Sequence, residues 1–157
     1  MKSILIKIRN NNRYLIIFAS CVIYFGFSSC GKSSSGSTSV NNPNSTVNYV
    51  GTFMKTDSTT TSANGSVTAT FNTATNQLSY TIIWHSLTSQ PIAMHFHDNG
   101  PVIVTIMGYP VATDQTLTST ANFSTTQSQD LASGLIFVMI HTSKYPGGEI
   151  MAPLVKQ

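Results

Sequence analysis

Cysteine is nearly missing from this chain: Cys21 and Cys30 are the two it has, and none follows Cys30. Whatever folds beyond that point has no disulfide and no thiol chemistry. Charge is equally scarce. Charged residues make up 8% of the sequence, against roughly 25% in ordinary soluble domains. The net charge of +3 looks basic until its positions are read. Lys2, Lys7, Arg9 and Arg13 all precede residue 14. After Cys30, Lys32, Lys55, Lys144 and Lys156 stand against Asp57, Asp98, Asp114, Asp130 and Glu149, four minus five leaving −1, with no arginine. Nucleic-acid binding needs clustered cations to neutralise phosphates, so no nucleic-acid partner is expected. The G-x-S-x-G, H-E-x-x-H, P-loop and G-x-G-x-x-G signatures are missing too. No catalytic residue is assigned, and a binding role is expected ahead of an enzymatic one.

No apolar run reaches the roughly 20 residues of a membrane-spanning helix. The longest, residues 14–27 (YLIIFASCVIYFGF), follows a cationic segment and has the length of a signal-peptide core. Ser28 and Ser29 then precede Cys30 and Gly31. This arrangement resembles the lipobox of bacterial lipoproteins, whose cysteine is acylated and becomes the mature N-terminus. Phe27 departs from that pattern, which usually has Leu there. Cys21 also follows small residues, but cleavage there would leave the apolar VIYFGF stretch on the product. The sequence therefore predicts a lipoprotein signal peptide over 1–29 and lipidation at Cys30, with an uncleaved N-terminal anchor as the alternative. The expected place is the bacterial cell envelope, lipid-anchored, on the periplasmic or outer-surface face of the outer membrane. Residues 31–48 are rich in Ser, Gly and Asn and read as a flexible tether. That gives an acylated cysteine and tether over 30–48 and a domain over 49–157.

From Tyr49 onward apolar and polar residues alternate, the period of half-buried strands. Val67, Ala69 and Phe71 share one face; Leu78, Tyr80, Ile82 and Trp84 share another. Strands are predicted at 49–55, 65–71, 77–85, 91–97, 101–107, 116–124, 135–142 and 148–155. One helical turn fits 127–133, stopped by Gly134. The expected fold is all-β, an antiparallel Greek-key-like β-sandwich of about eight strands. Met54, Met94, Met107, Met139 and Met151 are scattered over several strands. They read as fillers of core gaps rather than a soft copper site.

The segments GSVTATFNTATNQLSYTIIWHSL (65–87), AMHFH (93–97) and DLASGLIFVMIHTSKYPGGEI (130–150) resemble the CHRD domain, named from chordin and found in many secreted microbial proteins. The resemblance covers nearly the whole domain and implies a β-sandwich with an extracytoplasmic life. It implies no particular activity. Where a glycine commonly follows the second histidine of that family, Asp98 and Asn99 intervene before Gly100. Within it, residues 93–100 are similar to the copper-binding strand of Cu/Zn superoxide dismutases, which implies His95 and His97 as copper ligands. The dismutases' disulfide, bridging histidine, zinc loop and active-site arginine have no counterpart here, so dismutase activity is not expected.

All four histidines, His85, His95, His97 and His141, lie in the predicted domain. On a strand, residues i and i+2 point to one face, so His95 and His97 can converge while Met94 and Phe96 face away. His141 shares a face with Leu135, Phe137 and Met139 on a later strand. If that strand lies beside the H-x-H strand, three imidazoles form a site suited to Zn²⁺ or Cu²⁺. Glu149 is read as a fourth ligand, as an acceptor fixing a histidine tautomer, or as a brace for its loop. His85 is expected at the rim, and Asp98 in an Asx-type turn with Asn99 and Gly100. Two functions are weighed. The leading one is a lipid-anchored, non-catalytic module for a protein or glycan partner. The other is a copper- or zinc-binding protein using His95, His97 and His141 in metal handling or redox protection.

Overall fold

The computed structural model describes residues 45–157. The expected signal peptide, Cys30 and nearly all of the tether lie outside them. Ten strands and one helix are described: β1 (Thr46–Thr52), β2 (Met54–Lys55), β3 (Asn64–Asn72), β4 (Gln77–His85), β5 (Pro91–Asp98), β6 (Val102–Thr105), β7 (Gln115–Asn122), α1 (Thr125–Ala132), β8 (Ile136–Thr142), β9 (Ile150–Pro153) and β10 (Val155–Lys156). They form two five-stranded sheets, β10-β1-β3-β4-β7 and β2-β9-β8-β5-β6. Every pairing is antiparallel. The all-β sandwich expected from the alternation is what the chain forms.

Two predicted strands each divide in two. The run 49–55 breaks at Phe53, leaving β1 in the first sheet and β2 in the second. The run 148–155 breaks likewise at Leu154. Both breaking residues are buried, so the chain bends from one sheet to the other around an apolar side chain driven into the core. The corner is tight. A Cβ on Gly51 would stand 2.6 Å from the Pro153 carbonyl oxygen, so any larger residue forces the two corners apart. Such sheet-switching strands are how sandwiches make corners.

Local chemistry sets the hairpins and the helix. Between β3 and β4, the Asn72 side chain accepts from the amides of Ala74 and Thr75, an Asx turn that reverses the chain. The helix starts two residues before its predicted span because Ser124 and Gln127 form a reciprocal capping box, which satisfies amides otherwise left open. It ends at Ser133, followed by Gly134 at φ 74°.

The core lies between the sheets. Leu78, Tyr80, Ile82 and Trp84 of β4 are all buried, as are Met94 and Phe96 of β5. Tyr80 and Phe96 meet edge to face across the sheets, with ring centroids 5.0 Å apart. Phe96 therefore pins the middle of β5, and alternation turns its neighbours His95 and His97 onto the outer face.

The outer faces differ. On the first sheet, Asn48, Thr68, Thr70, Ser79, Thr81, Thr118 and Thr120 lie opposite one another and make a hydroxyl-rich surface. On the second, the cross-strand pairs are His97 with Phe137, His95 with Met139, and Met139 with Met151. The residues with coordination chemistry are on that second face.

Candidate metal centre

β5 and β8 run antiparallel, with Ala93 opposite His141 and His95 opposite Met139. His141 is therefore a diagonal neighbour of His95, and His97 lies two residues along the same face. The three imidazoles come together: their candidate ligand nitrogens all lie within 4.8 Å of one another. His95 Nδ1 is 3.2 Å from His141 Nε2. Two nitrogens that far apart, each about 2.0–2.1 Å from a shared ion, subtend roughly 100° at it. That angle suits tetrahedral or distorted coordination by this pair.

Backbone carbonyls orient two of the rings. A carbonyl can only accept, so His97 Nδ1–H donates to the Gly100 oxygen at 2.7 Å. His141 Nδ1–H donates to the Pro146 oxygen at 2.9 Å. Each ring, when neutral, thus carries its lone pair on Nε2, and that of His141 accepts from His95 Nδ1–H, a hydrogen bond that a shared ion would displace. Anchoring one imidazole nitrogen so that the other can bind is the arrangement seen around metal-ligating histidines. A register shift between β5 and β6 falls between Phe96 and His97, and bulges commonly re-aim a side chain beside a site.

His97 is the most constrained of the three. It is 7% exposed although it sits on an outer face, with Phe137 stacked flat against it and the Gly100 carbonyl bonded to its Nδ1. The two rings are 5.0 Å apart and nearly parallel. Its Nε2 is buried with no hydrogen-bond partner among the described residues. A buried polar atom without a partner is costly, and this one belongs to a ring of the three-imidazole cluster. Burial lowers the His95 pKa, and repulsion by His141 and His97 lowers it further. All of this favours the neutral ring, the form that binds metal.

Glu149 lies outside the cluster. It is fully buried, and its carboxylate accepts from the Thr61 hydroxyl, the Thr88 amide and hydroxyl, and the Thr142 hydroxyl. It ties three segments together and has no lone pair directed at the imidazoles; of the three roles considered for it, this arrangement is the brace. His85 is at the rim, 3.5 Å from Asp114 and more than half exposed.

Two expectations are corrected. Asp98 makes no described side-chain bond to Asn99 or Gly100. Its amide donates to the Pro101 oxygen, while its carboxyl lies beside Asp130. Desolvation and the shared proton and like charge of that neighbour raise its pKa. The turn is made instead by positive φ at Asn99 and Gly100. Among the methionines, Met94 fills the core, but Met54 is 53% and Met107 73% exposed, and Met139 and Met151 point outward from half-buried positions. Alternation along β8 already put Met139 on the His141 face; what the sequence did not carry was the pairing that lines the strands up. The Gly100 and Pro146 carbonyls had no sequence signal, since any residue supplies one.

Comparison with curated proteins and with solved structures gave no match. Comparison with family models gave the CHRD domain over residues 34–152, which contains all three clustered histidines. With most of its length so matched, and folded as the sandwich that the resemblance implied, the chain belongs to the CHRD-domain family.

Proposed function

We propose that this protein is an envelope-tethered binding module whose ligand is a transition-metal ion, Cu²⁺ or Zn²⁺, held by His95, His97 and His141. The observation that carries the reading is the convergence of three imidazoles, one of which has a buried Nε2 with no partner among the described residues. Carbonyl anchoring of His97 and His141 supports it, because rings fixed in advance lose little freedom on binding. Three nitrogen ligands leave room for a fourth from water or a partner, as in open zinc sites. The lipobox-like cysteine, Cys30, would hold the module at the membrane, with its metal available to other envelope components. A metal ion thus takes the place of a protein or glycan partner in the leading reading.

The test uses the full-length chain, purified in detergent without a histidine tag. It is offered Zn²⁺ and Cu²⁺ separately and examined by elemental analysis and calorimetry. Wild type is expected to bind about one equivalent of either ion, and H95A/H97A to bind neither. A folded wild type that takes up no metal would sink the proposal and return the imidazoles to a structural role.

A further inference from the structure

The imidazoles share their face with a line of sulfur. Met54 of β2 lies opposite Met151 of β9, Met151 opposite Met139 of β8, and Met139 opposite His95 of β5. Four residues on four neighbouring strands thus form one row across the sheet, ending in the histidine cluster. All four face outward, since the residues flanking them on β5, β8 and β9 (Met94, Phe96, Val138, Ile140, Ile150 and Ala152) are buried. Directly opposed side chains have Cβ atoms about 4.5–5.5 Å apart, within easy reach for a flexible thioether. The side chain of Met139 occupies the space over Gly148, where any Cβ would collide with its sulfur. It therefore sits against the turn whose Pro146 carbonyl orients His141.

The composition of this row is not what a solvent-facing sheet requires. The corresponding face of the first sheet uses mostly Thr, Ser and Asn, with Val50 and Ile83, and β-branched residues serve such positions better than Met. What methionine adds is a soft sulfur donor. Thioethers favour Cu(I), whereas imidazoles accept Cu(I), Cu(II) and Zn(II) alike. Resting on the metal-centre reading above, we infer that Met54, Met151 and Met139 form a thioether track that takes up Cu(I) and delivers it to the His95/His97/His141 cluster. The row makes copper, not zinc, the ion for which this face is built.

The experiment uses the full-length chain in detergent under anaerobic conditions, labelled with carbon-13 at the methionine methyl groups. Ag(I), a redox-inert stand-in for Cu(I), is titrated and followed by NMR. Cu(I) affinity is measured by chelator competition in wild type and in M54L/M139L/M151L, and Zn²⁺ binding is measured in both. Met to Leu nearly conserves volume and is among the milder core and surface exchanges. The track predicts shifts of the Met54, Met139 and Met151 methyls, with Met94 and Met107 unmoved. It also predicts a Cu(I) affinity lower by roughly tenfold or more in the triple variant, with Zn²⁺ binding unchanged. Ag(I) that leaves those three methyls in place overturns the track, whether or not the variant folds. Zn²⁺ still bound in that case shows the histidine centre surviving without it. Methyls that shift in a protein binding neither Zn²⁺ nor Cu²⁺ would uphold the sulfur row and remove the imidazole centre.

Discussion

A buried carboxylate with no cation beside it is costly unless donors surround it. Glu149 meets four, three of them threonine hydroxyls. Burial by itself would raise its pKa, but the bonds from Thr61, Thr142 and Thr88 together outweigh burial and hold it below the usual carboxylate range. A carboxyl depressed in the folded state contributes stability that is fully present above its unfolded pKa, about 4.3. That contribution is lost as pH falls through the lower, folded value. Glu149→Gln keeps the shape but sets an NH₂ group against a hydroxyl donor. It is expected to cost about 2 kcal/mol at pH 7, read from urea midpoints. The gap to wild type should narrow in acid, where wild type loses its carboxylate as well. A gap that stays constant down to pH 3 would mean that the carboxylate is not the source of the effect.

Among the elements, the turn between β8 and β9 links fold and site. It carries the Pro146 carbonyl that orients His141, and closes at Gly148 with φ 115°. Only glycine adopts that conformation without strain, and the missing Cβ makes room for Met139. Gly148→Ala is therefore expected to cost on the order of 1–3 kcal/mol, seen as a lower denaturant midpoint. Moving the turn also removes a ring anchor, so metal affinity should fall by roughly 10–100-fold in calorimetry. Unchanged affinity in a folded Gly148→Ala protein would show that the carbonyl does not set the imidazole. β5 is the complementary case: its alternation was legible, and Phe96 in the core with His95 and His97 outside follows directly from it. The neighbour of β5 was not legible, because β8 comes more than 35 residues later in the chain and nothing local specifies that pairing.

For the whole domain, ligand binding and stability are one equilibrium. An ion that binds the folded state at about a hundred times its Kd adds about 2.7 kcal/mol. For a domain near this size that amounts to roughly 10 °C in Tm. Saturating Zn²⁺ should therefore raise the melting temperature of wild type by about that much, by scanning calorimetry, and leave H95A/H97A where it was. A similar rise in both proteins would place the ion elsewhere. The second sheet can hold such a centre because it is built from non-adjacent segments: β5 and β8 meet only after the chain has crossed to the first sheet as β7 and returned past α1.

The sequence alone determined the class of fold and the direction of most side chains, because both depend on a two-residue period within single strands. Trp84, Tyr80 and Phe71 were readable as core on that basis, and His95 with His97 as a same-face pair. It also carried the family, through its H-x-H and P-G-G-E-I segments. Tertiary structure alone decided which strands lie side by side, since long-range pairing is selected by the packing of two whole sheets. That choice brought His141 to His95, turned Glu149 away into a cage of threonines, and bent two predicted strands around Phe53 and Leu154. It also set three methionines from three separate segments in register, because the order of strands in a sheet is a property of the folded core and has no local code.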